Sequence, residues 1–553
     1  MSIKLENVKI LRKIKNTRNV PYIFMILLTV FNFAGCSKNQ NETEKTENEP
    51  ISFTLFSADL EESLNFDDTI AREITKRTGV YLDFIGPKSN ATDDIDLMIA
   101  NDSYPDLIFA KSDLTKLIEA NAVVPLDSYM ENYGENIKKL YGSEIVKLRN
   151  SLEDPHIYTF GTYAIKTNVL ESSGNLQIQN AVLREYQYPK ITTLEEYENI
   201  LLAYKKKYPV INGHKTVGFS FLTDSWYWYL YLSNPGNYVI GYPDDGQWIV
   251  DQDSLKATYK FLNPDMCKYY KWLNKIYHEG LLDPESFTQD INIWTQKVKD
   301  GCVLGTAAPL WFFQSLQSEM ENSGLTERTY AYLPVTVDNK TKAVSFQDYG
   351  FSGGWGIAIT KNCKDKYRAF KFFDWFCSEE AQILINWGIK DVHYYYDSEN
   401  IRRSFQNISD SEGLGKWIYP FPNAGEGYID STGNTIAKLN LDQIKKSYNS
   451  AQKETLEAYG IEMFKELFPS EKELPQSRHG QVWQYQLSPK MSQKVTMVDD
   501  FVKESLIKII IGPEKDFNSS WKKMTDSIIQ MGIEDVGDEI SRMIQMKIKL
   551  WSE

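Results

Sequence analysis

The chain has 553 residues, a formal charge of −14, and 42% hydrophobic and 13% aromatic residues, enough for more than one domain around a large core. An acidic body argues against binding a phosphate backbone, which needs clustered Lys and Arg. No C-x-x-C pair occurs, which argues against a zinc site or a redox motif; buried free thiols are expected at Cys267, Cys302, Cys363 and Cys377.

The chain begins with Lys4, Lys9, Arg12, Lys13, Lys15 and Arg18 against one acid, Glu6, and continues into an apolar run, Val20 to Phe33, broken by Pro21, Thr29 and Asn32. That run falls short of the about 20 apolar residues a spanning helix needs. A basic start, a short apolar middle and a small-residue end describe a secretory signal peptide. Phe33-Ala34-Gly35-Cys36 resembles the lipobox of bacterial lipoproteins, with phenylalanine in place of the usual leucine; the resemblance implies that Cys36 is lipidated and becomes the mature N-terminus. An uncleaved signal anchor is the alternative. Ser37 to Pro50 is polar and charged with no aliphatic residue, and reads as a disordered tether. The predicted organisation is a signal peptide over 1–35, a tether over 36–50 and a body over 51–553.

Ile51 to Phe56 reads as a strand. Asp67 and Asp68 open a helix with Ile70 and Ile74 on one face and Gly79 as its stop. Val80 to Ile85 is a second strand, Pro105 to Phe109 a third, and Leu114 to Ala120 a helix. Strand and helix alternating at these spacings predict an α/β sheet with crossover helices. A second region starts near residue 165. Thr193-Leu194-Glu195-Glu196 is a capping box, and the helix it opens places Leu194, Tyr197, Leu201 and Tyr204 on one side. From about Phe261 the chain becomes largely helical, with Gly280 ending an amphipathic stretch. "VLGTAAPLWF" and "GGWGIAIT" are short apolar segments expected as strands or strand-loop junctions. Lys366 to Trp387 is an apolar helical stretch, and Phe517 to Trp551 reads as helix broken at Gly532.

Five stretches, "PDLIFAKSDLTKLIEANAVVPLDSYMENYG", "ITTLEEYENILLAYKKKYP", "YYKWLNKIYHEGLLDPESFTQD", "GGWGIAITKNCKDKYRAFKFFDWFCSEEAQILINWGI" and "IIIGPEKDFNSSWKKMTDSIIQMGIEDV", occur in the order found in one family. The chain resembles the bacterial extracellular solute-binding proteins, family 1, the lipoprotein component of carbohydrate ABC importers. The resemblance implies an α/β, two-lobed, periplasmic-binding-protein-like fold (type II). Its lobes are discontinuous in sequence, the first starting near 51 and the second near 165. They are joined by crossover segments, and the ligand cleft lies between them. Where many relatives carry an acidic loop for calcium, residues 208–215 here offer no carboxylate, so no metal is expected there. Lys390-Asp391 also departs from the Glu-Gly common after "WGI".

A sugar presents an apolar C–H face and a rim of hydroxyls, so a site for it wants aromatic plates and planar carboxylates or amides. The densest candidate is "DSWYWYL". If it is a strand, Trp226 and Trp228 point to one side and Tyr227 and Tyr229 to the other, with Asp224 beside them; the alternative is that all four rings are core. "APLWFF" supplies Trp311. In "FSGGWG", Gly354 permits close backbone approach, and Trp355 lies by resemblance at the cleft mouth, a packed crossover tryptophan being the alternative. "QDYG" adds Gln347 and Asp348, and "GKWIYPFPNAGEGYID" adds Trp417, Tyr419 and Glu426. Trp272, Trp375 and Trp387 read as core. No G-x-S-x-G elbow, P-loop or HExxH motif is present, and the five histidines are scattered, so no catalysis and no cofactor are expected.

The sequence-based expectation is a monomeric, lipid-anchored receptor on the outer face of the cytoplasmic membrane. It captures a carbohydrate, an oligosaccharide by preference, and passes it to ABC importer permease subunits by cleft closure. Nucleic acid is not a partner. The rivals are a surface-anchored glycan-active enzyme and the same fold binding a peptide or signal molecule.

Overall fold

The computed structural model describes residues 49–552, apart from 61–63, 163–168, 171, 173, 406–408, 410–411, 439 and 475. The signal peptide, Cys36 and all but the end of the tether lie outside the described residues. Two sheets organise the body. The first has the order β2-β1-β3-β9-β4: β1 (Ile51–Ser57) pairs in parallel with β2 (Val80–Ile85) and β3 (Leu107–Phe109), while β9 (Gly356–Ile359) runs antiparallel to both β3 and β4 (Thr159–Gly161). In the edge strand β2, Val80, Leu82 and Phe84 are buried and Tyr81, Asp83 and Ile85 are not, the period of a sheet covered on one face there. Helix α1 (Thr69–Thr78) covers it; the Asp68 side chain caps its first turn and Gly79 ends it in the left-handed region, both as the sequence predicts.

The second sheet has the order β8-β5-β7-β6. Here β7 (Val303–Ala308) is parallel to β6 (Val217–Phe219) and antiparallel to β5 (Asn175–Gln179), and β8 (Tyr330–Tyr332) closes the other edge. Helix α3 (Leu194–Lys207) opens with the predicted capping box between Thr193 and Glu196. Its Tyr197 hydroxyl donates to Gln177 O at 2.6 Å. That hydroxyl would lie 2.1 Å from any Cβ at position 305, so the helix docks on the sheet because Gly305 has none.

Each sheet has its own core. Phe53, Leu55, Leu107, Phe160 and Ile357 share the first with Phe370 and Phe373; Leu176, Ile178, Tyr197, Phe219, Tyr231 and Trp294 share the second. The chain leaves the first sheet after β4, builds the second, and returns through 333–355 to lay down β9. Beyond residue 436 it crosses again, so that α5 (Pro489–Ile511), the helix Phe517–Gln530 and α6 (Ile533–Ser552) pack on the second core. Between β2 and β3 lies α2 (Ala91–Ala100), which sequence reading passes over. The apolar stretch 366–387 is two helices, Lys366–Phe376 and Glu379–Trp387, parted at Cys377 and re-capped by the Ser378 side chain. Cys302, Cys363 and Cys377 are buried free thiols as expected, whereas Cys267 is only partly buried. Among the described residues no helix is long and apolar enough to cross a membrane.

Candidate functional site

In open α/β sheets, ligands bind beyond the carboxyl ends of the strands, and the two parallel pairs point to two clusters of side chains. At the end of β7, Pro309 turns the chain into α4 (Leu310–Asn322), with Trp311 in its first turn and 59% exposed. At the end of β6 the chain passes through buried Ser220 to Thr223 into the "DSWYWYL" segment. This segment is not a strand. Asp224 and Ser225 form a turn in which Asp224 O accepts Tyr227 N–H at 3.1 Å, a helix begins at Tyr227, and Tyr229–Ser233 is a π-helical turn. At about 100° per residue, Trp226 and Trp228 point to nearly opposite sides, so the expectation that they share a face is corrected. Trp226 is 44% exposed; Trp228 is 3% exposed and belongs to the second core, its ring 4.4 Å from that of Tyr229.

Around the exposed tryptophans a strip of rings forms. Trp226 stacks on Tyr227 (4.7 Å, 28°), Tyr227 meets Phe312 edge-on (5.8 Å), and Phe312 meets Trp311 (5.8 Å, 88°). Tyr231 and Trp294 pack against Phe312 and belong to the second core. The strip is an aromatic ledge whose two end rings remain open, with exposed Asp224 beside it.

The first-sheet cluster is built differently. Asp59 follows β1 and Lys111 follows β3; they pair at 2.8 Å, and Tyr419 Oη–H donates to Asp59 at 2.5 Å. The Tyr419 ring meets Phe109 edge-on at 5.6 Å and stays exposed. The Lys111 ammonium sits 4.4 Å over the Trp355 ring, and Trp483 meets that ring at 4.9 Å and 71°. Trp355 is therefore already covered rather than an open plate. Gly354 serves an internal neighbour: a Cβ there would lie 2.5 Å from the Gln484 side chain. Asp348 is likewise engaged, accepting Gly350 N–H at 2.8 Å and Gln476 Nε2–H at 2.6 Å.

Two further candidates lie off these clusters. Trp417 is 1% exposed in the first core, against Phe66 (4.6 Å) and Phe84 (5.6 Å), and its indole N–H donates to Asp68 at 3.0 Å. Its placement at a ligand surface is corrected: its ring faces are filled by core neighbours. Glu426 is partly buried, and burial pushes its carboxyl upward. Of the sequence-predicted residues, then, the structure brings Asp224, Trp226 and Trp311 to one surface. It puts Trp228 and Trp417 in cores, and it packs Asp348, Gly354 and Trp355 in the crossover. Sequence reading missed Tyr227 as a link in the ledge, and also Asp59, Lys111 and Trp483. The first two follow strands β1 and β3, a position the strand-end rule would have flagged.

Buried polar groups lie in the crossover at His479 and in the second-sheet region at Lys260. His479 is fully buried; its Nδ1–H donates to Gly480 O (2.7 Å), leaving Nε2 to accept from Gln252 Nε2–H (3.1 Å). Burial holds its pKa down to about 4. Lys260, also fully buried, donates to Asn234 Oδ1 (3.1 Å) and Gly246 O (2.9 Å), and burial draws its pKa down to about 7. Residues 208–215, where calcium was not expected, form the small hairpin Val210–Ile211 and His214–Lys215. Among the described residues no three His, Cys, Asp or Glu side chains are grouped to hold a metal ion.

The profile described as "Bacterial extracellular solute-binding protein" matches residues 69–387. The chain belongs to this family. It is a family of binding proteins, and it carries the α/β fold seen here. Lipoprotein LipO of Bacillus subtilis is 22% identical over 442 residues, covering 75% of this chain and 82% of LipO. The fructooligosaccharide ABC transporter substrate-binding protein FusA of Streptococcus pneumoniae is 22% identical over 274 residues, 46% of this chain and 48% of FusA. In structure, FusA in complex with kestose superposes with a TM-score of 0.63 at 16% identity, covering 90% of this chain and 99% of that one. The alginate-binding protein AlgQ2 gives 0.62 at 16% identity, covering 92% and 99%.

Proposed function

We propose that this solute-binding protein captures an oligosaccharide on the Trp226–Tyr227–Phe312–Trp311 ledge and delivers it to an ABC importer by closure of the two lobes. The observation that carries this reading is the ledge itself: two tryptophans left open to solvent at the strand ends, where an isolated core has no use for them. Flat rings of this kind take the apolar face of a pyranose or furanose, and the exposed Asp224 beside them would bond its hydroxyl rim. On this reading the first-sheet cluster around Asp59, Lys111 and Tyr419 would form the other wall of the cleft. Contacts made by both walls favour the closed state, and that shape is what the permease reads. The carbohydrate ligand of FusA supports the ligand class. Acylation at Cys36 would tie the body to the outer face of the cytoplasmic membrane, with the tether giving it reach; LipO, a lipoprotein, supports the anchor.

Calorimetry and solution scattering on the soluble body test the reading. Titration with kestose, other oligosaccharides and peptides is expected to give stoichiometric heat and a smaller radius of gyration with a saccharide. Binding of a peptide alone, or turnover of a glycan, overturns it. For the anchor, Cys36→Ser is expected to release the protein from the membrane fraction.

A further inference from the structure

Behind the ledge runs α5, and two of its side chains grip the segment that carries Trp226. Asp499 is 3% exposed and accepts three donors: Tyr229 Oη–H at 2.9 Å on one oxygen, and Tyr259 Oη–H (2.5 Å) and Gln247 Nε2–H (2.9 Å) on the other. One turn further along the helix, Lys503 Nζ donates to Ser225 O at 3.4 Å. Residues four apart share a helix face, so α5 holds both ends of the stretch Ser225 to Tyr229. That stretch needs holding. Ser225 has φ of 45°, a left-handed conformation that costs a non-glycine residue free energy. Tyr229 then begins a π-helical turn, a geometry of poor intrinsic stability that proteins keep mostly at functional sites.

We propose that Asp499 is a positioning residue for ligand binding: by fixing the Tyr229 hydroxyl it keeps the strained turn formed, and so keeps Trp226 stacked on Tyr227 with its outer face presented. The inference rests on the reading of Trp226 as a ligand platform. A carboxylate suits the task because three donors converge on two oxygens. The isosteric amide has only one acceptor oxygen, so it cannot accept on both sides: its N–H either reverses the bond to Tyr229 or faces the Gln247 N–H, itself a donor. The same group ties in Gln247, whose Oε1 accepts from Ser233 Oγ–H at 2.9 Å at the far end of the π turn. Asp499 thus reaches the first residue of that turn directly and the last through one intermediary.

The test is a double-mutant cycle read by calorimetry with kestose. Asp499→Asn is expected to weaken binding about tenfold, the weight of a lost charge-assisted hydrogen bond. Tyr229→Phe, which keeps the ring and the packing, is expected to weaken it about threefold. In a Trp226→Ala background neither should weaken it further, because the residue they position is gone. Equal losses in both backgrounds, or no loss in either, overturn the proposal in favour of a merely structural role. A readout independent of ligand separates this outcome from failure of the proposed function. The Trp226 contribution to fluorescence, taken as the difference from Trp226→Ala, should become more open to acrylamide quenching in Asp499→Asn and Tyr229→Phe. Unchanged quenching overturns the positioning role even if kestose does not bind the parent protein.

Discussion

The aromatic groups at the two sets of strand ends are put to opposite use. On the second sheet, Trp226 and Trp311 are propped from below by Tyr227 and Phe312 and left open above. At the first sheet's strand ends, Trp355 is capped by Lys111 and flanked by Trp483, and the ring of this cluster that stays open is Tyr419. A tryptophan near a strand end is therefore not by itself a platform; what matters is whether its face is already satisfied. The ledge offers apolar area, and the first sheet offers a charged pair and a hydroxyl.

Four experiments break or sharpen this contrast. The largest effect falls on neither surface. Trp417→Ala removes a ring packed on Phe66 and Phe84 and leaves the Asp68 cap without its indole donor. It is expected to cost about 3–5 kcal/mol of stability, read as a lower urea midpoint. A loss of ligand affinity at unchanged stability would return Trp417 to the binding surface.

Next comes acid. His479 is neutral in the folded protein, and its pKa of about 4 lies below the ordinary 6.5. The unfolded chain therefore takes up this proton first, and the contribution of His479 to stability is lost as pH drops from about 6.5 to about 4, about 3 kcal/mol for this group. His479→Gln should flatten that slope.

Trp226→Ala and Trp311→Ala are each expected to weaken saccharide binding by about 1–3 kcal/mol, with little change in melting temperature since both rings are exposed. The smallest effect is assigned to Trp355→Ala: its face is taken by Lys111, so binding should change by less than about 1 kcal/mol, the scale of one cation–π contact. A loss equal to that of Trp226→Ala would erase the distinction between the two surfaces.

Much of the fold is legible in the sequence where the signal is local. The Asp68 cap, the Gly79 stop, the alternation of Val80, Leu82 and Phe84 and the Thr193–Glu196 capping box each lie within a few residues, and each forms. Helix α2 escapes notice because it buries only Ile95 and so shows little periodicity. The run Trp226 to Tyr231 misleads because aromatic residues favour strands in general, whereas here the rings are satisfied by Phe312, Trp294 and Asp499, far away in sequence. Trp417 is the same case: the loop that carries it is readable as ring-rich, but its partner Asp68 is 349 residues away. Which rings a fold leaves open depends on such distant neighbours.

Trp483 gives the molecule an internal gauge. It touches Trp355, which precedes the last strand of one sheet, and lies so close to Gly246, beside the other sheet's core, that a Cβ there would come within 2.9 Å of it. If the two halves shift as proposed, the surroundings of Trp483 are expected to change, and the emission lost in Trp483→Phe is the signal that would report it.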